Sequence, residues 1–341
     1  MNFRFFLAWF ISVAMITSTN AGPLDDSLLA GAASRLDLKG VEIALRRGAK
    51  AGEKLSQPQA PDVRRTPIQF AIRAMLDYNE PDTAQRTEKI LLLLFKAGAK
   101  VTADKDELFI PIVGGHQKIV QILFDNGANP HLRIYGYSVA ELAVKYDQRK
   151  LLSFFYSRNV PKVDSETAVQ IEFVHGAENQ NLSIMKRTFT AGAKVNLPDP
   201  GGSFAIVQLF SRPLLEPEGH EALRWLLSEA GADANATNFS EDKNTALHNL
   251  IRRNSYRPSD HYTTAVLAEV LLRSGANVSS IDDLERTPLH YAAASGNVLA
   301  MQVLLRAGAK VVARDLLRKT PLDLAKSGEA ISLLRAAGAK E

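Results

Sequence analysis

The stretch Asp282–Asp315, DDLERTPLHYAAASGNVLAMQVLLRAGAKVVARD, decides the fold. Thr287 stands where a hydroxyl can accept a backbone N–H at a helix start, and Pro288 suits the first helical position, where no N–H is needed. Leu289, Ala292 and Ala293 form an apolar stripe at helical spacing, and the two alanines let a neighbouring helix come close. Gly296 and Asn297 break this first helix. Val298, Met301, Leu304 and Leu305 line a second one, which Gly308 ends as the left-handed residue of a C-cap. The stretch is a helix–turn–helix unit built to stack on copies of itself.

The terminal glycine recurs, each time before an alanine, at Gly48, Gly98, Gly127, Gly192, Gly231, Gly275, Gly308 and Gly338. Asn159 fills the one gap, and asparagine is the next best residue for a left-handed position. The intervals run 50, 29, 32, 33, 39, 44, 33 and 30 residues, so nine units cover nearly everything after the N-terminus. The distance from helix N-cap to this residue is 21 from Ser27, Asp106, Ser138 and Thr287 alike, so the helix pair keeps its register where the sequence has drifted.

Thr287-Pro288-Leu289-His290, small residues after it, and Leu304-Leu305 before Gly308-Ala309 form the TPLHxA pattern with a period of about 33, which resembles the ankyrin repeat. Thr245-Ala246-Leu247-His248, Thr66-Pro67-Ile68 and Thr320-Pro321-Leu322 are further versions, whereas the units between Gly127 and Gly231 are recognisable mainly by spacing. The resemblance implies an all-α ankyrin-repeat solenoid of about nine units with short hairpin turns. Its N-terminal cap unit spans about 24–50 and its C-terminal cap about 316–341.

Departures from the period fall in connections. Enlarged links between paired helices are expected near 77–87, 211–219 and 252–263, and insertions in such arrays map to loops on one face. Gln57, Pro58, Pro61 and Asp62 read as irregular chain between the first two units. Pro111 falls inside a first helix and is expected to kink or shorten it.

The N-terminus is different material. Arg4 is the only charge in the first twenty-four residues, Phe5–Ile16 is largely apolar, and Thr17–Gly22 are small or polar. This describes a secretory signal peptide over residues 1–21, cleaved after Ala21 and followed by repeats over 22–341. A retained membrane anchor is disfavoured, because the run falls short of the ~20 residues a span needs. Export places the protein first in a periplasm and second outside the cell, with no membrane contact after cleavage. The chain has no cysteine, so no disulfide, lipid-bearing thiol or thiol nucleophile is available, and packing alone must hold it.

Basic pairs at Arg46-Arg47, Arg64-Arg65, Arg252-Arg253 and Arg318-Lys319 are scattered among carboxylates without aromatic platforms. The formal charge of +4 therefore argues for solvated faces and against nucleic acid. His248 and His290 occupy the TxLH position, where the resemblance implies a hydrogen bond to the adjoining turn and the threonine hydroxyl; His116 opens a helix. A zinc helix beginning at His220-Glu221 would need a histidine at 224, which is Arg224, so Glu218 and Glu221 are read as first-turn residues favouring a helix's positive end. Gly201-Gly202-Ser203 lacks the lysine of a phosphate loop and reads as a turn. Asn181, Asn235, Asn238 and Asn277 lie in N-x-Ser/Thr sequences, best explained by chance. No catalytic, cofactor or metal residues are assigned, and stacked repeats offer few deep clefts for an enzyme.

The expected function is binding a protein partner, as a monomer, on a preformed surface. The resemblance implies a face of hairpin tips and first helices, here Leu284, Arg286, Tyr291, Leu316, Leu317 and Arg318. A second candidate surface is the edge of enlarged links, with Arg252, Tyr256, Arg257 and Tyr262 in one insert and Tyr78 in another. Two other assignments compete: a secreted effector acting on a host protein, and an inhibitor or immunity factor blocking a toxin or hydrolase.

Overall fold

The structure, a computed structural model, describes residues 23–57, 60–78, 80–102, 104–212, 217–239, 243–254 and 258–340. The signal-peptide region 1–21, Tyr256 and Arg257 lie outside the described residues. Among those described are eighteen α-helices in nine consecutive pairs. In chain order they are α1 Pro23–Ser34, α2 Leu38–Arg46, α3 Pro67–Asp77, α4 Thr83–Lys96, α5 Lys105–Val113, α6 Gln117–Asp125, α7 Val139–Lys145, α8 Arg149–Ser157, α9 Ser165–Glu178 and α10 Leu182–Thr190. There follow α11 Ala205–Gln208, α12 Pro217–Ser228, α13 Ala246–Asn254, α14 His261–Arg273, α15 Pro288–Ser295, α16 Val298–Arg306, α17 Pro321–Leu324 and α18 Gly328–Ala336. Apart from one short ribbon the described chain is all-α, consistent with the ankyrin-repeat fold that the resemblance implies.

The helices start and stop for the reasons the sequence suggests. Thr66, Ser138, Thr287 and Thr320 are N-caps in capping boxes, with proline at the first turn after three of them. All eight predicted C-cap glycines have φ between +74° and +107°, and Asn159 holds +60° in the ninth place. A β-carbon would meet nothing within 4 Å at Gly98, Gly127, Gly192, Gly231, Gly275, Gly308 or Gly338. Conformation rather than space therefore selects glycine there.

Three caps differ from expectation. Helix α1 already includes Ser27, so that hydroxyl caps nothing. Asp104, not Asp106, caps α5: its carboxylate accepts the Asp106 N–H at 2.9 Å and draws the helix start forward. Phe204 precedes the four-residue α11, while Ser203 Oγ accepts from the Gln208 side chain at 3.0 Å. Pro111 lies inside α5, which is not shortened: at nine residues it matches α13. Placed near the end of the helix, Pro111 removes one intrahelical bond and leaves the rest.

The chain between the first two pairs is a two-stranded antiparallel ribbon, β1 Leu55–Gln57 and β2 Ala60–Arg65, not the irregular segment expected. Leu55 pairs with Arg65 and Ser56 with Arg64, and a bulge follows Ser56. Leu55 is buried and β1 packs on α1. Helix α4 takes the end of the segment near 77–87 and runs to 14 residues, and α14, with 13, begins at His261 after a 3₁₀ turn at Pro258–Asp260; residues 213–216 and 255–257 of the expected links lie outside the described residues.

The chain divides into two compact units. In the first, holding α1–α8, first helices pack on first helices through Ala30, Ala33, Ala71, Ala74, Ala140 and Ala143, all buried. The second helices bring Leu91, Leu94, Ile119, Leu123, Leu151 and Phe155 to the same core. The second unit comprises residues 135–137 and everything from Val163. One continuous apolar core runs through it from Phe173 to Ala339, with Ala246, Ala292 and Ala293 on first helices and Leu226, Leu271, Met301, Leu304 and Leu334 on second helices. Each fully buried leucine contributes roughly 1.5–3 kcal/mol by leaving water.

Candidate functional site

Three loops of the second unit share one construction, centred on Asp199, Asp282 and Asp315, all buried. Each aspartate Oδ1 accepts backbone N–H groups two and four residues on. The pairs are Gly201 and Ser203 at 3.0 Å, Leu284 and Arg286 at 2.9 Å, and Leu317 and Lys319 at 2.9 Å. Each aspartate N–H in turn donates to the carbonyl four residues on. The residue three places on must turn left-handed: Gly202, Glu285 and Arg318 have φ of +76°, +55° and +62°. Short polar side chains folding onto their own backbone favour this kind of turn.

The second carboxylate oxygen ties each loop to other chain. The Tyr137 hydroxyl donates to Asp199, the Tyr291 hydroxyl to Asp282, and Arg286 Nε to Asp315 at 3.1 Å. The Arg286 guanidinium also lies 5.8 Å from the Tyr291 ring centroid. Burial, helped by the hydrogen bond to Asp282, pushes the Tyr291 hydroxyl up to about 12. Burial works against Asp315 ionising, but the Lys319 N–H and the Arg286 guanidinium hold its carboxyl below the usual range.

Histidines secure the loops from below. His248 Nδ1 lies 2.9 Å from the Thr245 hydroxyl and accepts the Thr245 N–H, while Nε2 lies 3.0 Å from the Arg286 carbonyl. His290 repeats this with Thr287 and the Lys319 carbonyl, at 2.9 and 3.1 Å. With Nδ1 accepting, Nε2 carries the proton and both nitrogens of a neutral ring are satisfied. Burial lowers both pKa values. The structural role expected of these histidines is what the geometry shows.

On this frame the loops expose apolar side chains. Leu284 is 47% exposed, Leu316 59% and Leu317 71%, and the Leu316 N–H donates to the Leu284 carbonyl at 2.9 Å, so these two tips are joined. Phe239, 76% exposed, was not singled out in the sequence; its N–H donates to the Gly202 carbonyl and its ring stands edge-on to Phe204. Lys243 and Asp283 pair at 3.1 Å between the intervening tips. The tips thus run from Gly202 through Phe239 and Leu284 to Leu317 as one ledge. Arg286 and Tyr291, expected on the binding face, are half-buried and committed to the aspartates; Arg318 is exposed.

The second predicted surface is partly described. Tyr262 is 72% exposed and, with His220, Leu223, Arg224, Val266 and Val270, lines a groove of about 130 Å³ between α12 and α14. Arg252 is half-buried and reaches Asn249 Oδ1 at 3.4 Å. The four asparagines in glycosylation-like sequences all serve the backbone. Asn181 caps α10, Asn238 accepts the Phe204 N–H, Asn235 bonds the Gly275 carbonyl, and Asn277 accepts the Ser279 N–H. Among the described residues no group of three or more His, Asp or Glu side chains could hold a metal, and no helix is long and apolar enough to cross a membrane.

Loops of this construction on stacked helix pairs define a repeat architecture. Residues 214–315 and 263–340 match a family model described as Ankyrin repeats (3 copies). A curated relative, Inversin of Danio rerio, is 38% identical over 89 residues, which cover 23% of this chain and 9% of that protein. The chain therefore spans about a tenth of that relative's length. Fold and comparisons together support an ankyrin-repeat protein, a class that generally mediates protein–protein interaction and is typically non-enzymatic.

Proposed function

We propose that this chain is an interaction scaffold that binds a partner protein through the loop ledge of its second unit. The observation that carries the reading is the row of exposed Phe239, Leu284, Leu316 and Leu317 on loops held rigid by buried aspartates. Large exposed apolar side chains beside arginine have the composition of interface hot spots. Because the loops are already ordered, association costs little conformational entropy. The groove beside Tyr262 offers a second contact on the other helices.

Residues 1–21 act as a cleaved signal peptide in this reading, residues 22–341 form the repeat region, and the partner lies in the periplasm or outside the cell. The full chain and its Phe239→Asp and Leu317→Asp variants are used to capture proteins from the exported fraction. One protein should be lost by both variants while thermal unfolding stays cooperative. Capture indifferent to both substitutions would sink the reading. Fractionation separates a resident envelope scaffold from a secreted effector, and a strain sensitised to one hydrolase by deletion would mark an inhibitor.

A further inference from the structure

We infer that the last loop of the ledge, residues 314–319, receives an acidic segment of the partner that also carries apolar side chains. This rests on the binding reading above and adds the chemistry of what is bound. Arg314, Arg318 and Lys319 are exposed there, and no ion pair among the described residues engages them. The loop's own carboxylate offers them nothing. Asp315 is buried, with one oxygen taken by two backbone N–H groups and the other by Arg286. Asp323, just beyond, is held by the Thr320 hydroxyl and N–H. Asp323 stays ionised and acts weakly on Lys319 and Arg314, so three cations face one such carboxylate and the loop keeps an excess of positive charge, which attracts a negative partner and sets its orientation.

The cations are also arranged. Arg314 Nη1 donates to the Arg318 carbonyl at 2.8 Å, fixing one guanidinium across the loop. Arg318 holds φ +62° at the position where the equivalent loop uses Gly202. A side chain kept where glycine is conformationally cheaper points to a use for that side chain. Between the cations stand Leu316 and Leu317, so the site fits alternating carboxylates and apolar groups. The neighbouring tip carries exposed Glu285, while its Asp283 is paired with Lys243. A uniformly anionic lipid surface or nucleic acid would be repelled there, whereas a peptide can place its acids on one tip only.

The test is a fluorescence-anisotropy titration of the full chain with three labelled peptides of equal length, alternating leucine with glutamate, glutamine or lysine. The glutamate peptide should bind at least about tenfold tighter than the others, and lose that advantage in high salt. Arg314→Glu combined with Arg318→Glu should transfer the preference to the lysine peptide, and Leu317→Asp should weaken the glutamate peptide. Equal binding of all three peptides, no binding of any, or no response to charge reversal overturns the inference. So does tighter binding of a single-stranded oligonucleotide or phosphatidylserine vesicles. If the captured partner is lost with Phe239→Asp but kept with the charge reversal, the scaffold reading stands and this inference alone fails.

Discussion

Asp199, Asp282 and Asp315 make the same hydrogen bonds in three loops, yet the residue each loop turns on differs. Gly202 adopts its φ freely, while Glu285 and Arg318 place a β-carbon in a region that disfavours it. Glu285→Gly and Arg318→Gly should therefore each stabilise the protein by about 0.5–1 kcal/mol, part of the strain relief being offset by glycine's extra freedom when unfolded. Urea midpoints measure this, and a fall for either variant would show that the side chain earns its place by packing. The histidines give a pH dependence of known sign. His248 and His290 have lowered folded-state values, so below the ordinary value of about 6.5 the unfolded chain binds more protons. Their contribution is complete above that value and is lost as pH falls toward their folded values. Amide protection factors in α13 and α15, taken relative to the intrinsic exchange rate at each pH, should fall as pH drops below about 6.5 and Nδ1 becomes a donor facing the threonine N–H; protection independent of pH there would contradict it. These roles were legible because TxLH names both partners within four residues. Gln69, which accepts the Thr66 N–H to complete the capping box of α3 and reaches Thr102 and Asp104 at 3.2 and 3.0 Å, does the same work unannounced. The Arg286–Asp315 pair was not legible, since its members lie 29 residues apart in different repeats.

At the scale of elements, helix ends were readable and helix lengths were not. A left-handed glycine or a threonine before proline is a local chemical necessity, whereas added residues can extend a helix or loop out with similar local patterning. That is why α4 and α14 took in the ends of segments expected as links. The ribbon β1–β2 escaped notice because Pro58, outside the described residues, and Pro61 read as breakers, although Pro61 lies in β2 and an edge strand needs no N–H on its open side. One device joins successive pairs without sequence warning. Asn196 donates to the Gly231 carbonyl at 3.0 Å and accepts the Asp233 N–H at 2.8 Å; Asn235 donates to the Gly275 carbonyl at 2.9 Å and accepts the Asn277 N–H at 2.7 Å. Each asparagine thus bonds both ends of the turn that closes the next pair. Asn235→Ala should cost about 0.5–1.5 kcal/mol for each of its two bonds, less where water replaces them, and Asn196→Ala the same. The loss should appear as faster exchange of the Asn277 amide; unaltered protection would assign the turn's order to Gly275 alone.

On the scale of the molecule, the unit count followed from spacing, because a stack tolerates drift in residue identity while its register is kept. The site was legible in part: Leu284, Leu316 and Leu317 stand exposed as a tip position requires, but Phe239 lies in a loop whose sequence has lost the aspartate. Stacking also dictates how the second unit comes apart. Each pair contacts only its neighbours, so stability is nearly a sum of repeat and interface terms and the end repeat is the weakest member. Helix α17 has four residues, and α18 packs only on α16 and α17 among its stronger neighbours. Leu334, wholly buried in α18, is the main side chain it commits to the core. Leu334→Ala should cost about 2–5 kcal/mol locally, enough to open the last pair while α9–α14 stay folded. Hydrogen exchange would then show a gradient, with 320–338 released first, 287–308 partly, and 165–190 unchanged. Because Arg286 and His290 bond the loop that precedes α17, the charge-bearing tip should loosen with it and the glutamate peptide should bind more weakly. Uniform loss of protection from 165 to 338 would instead mean that this unit folds as a single cooperative block.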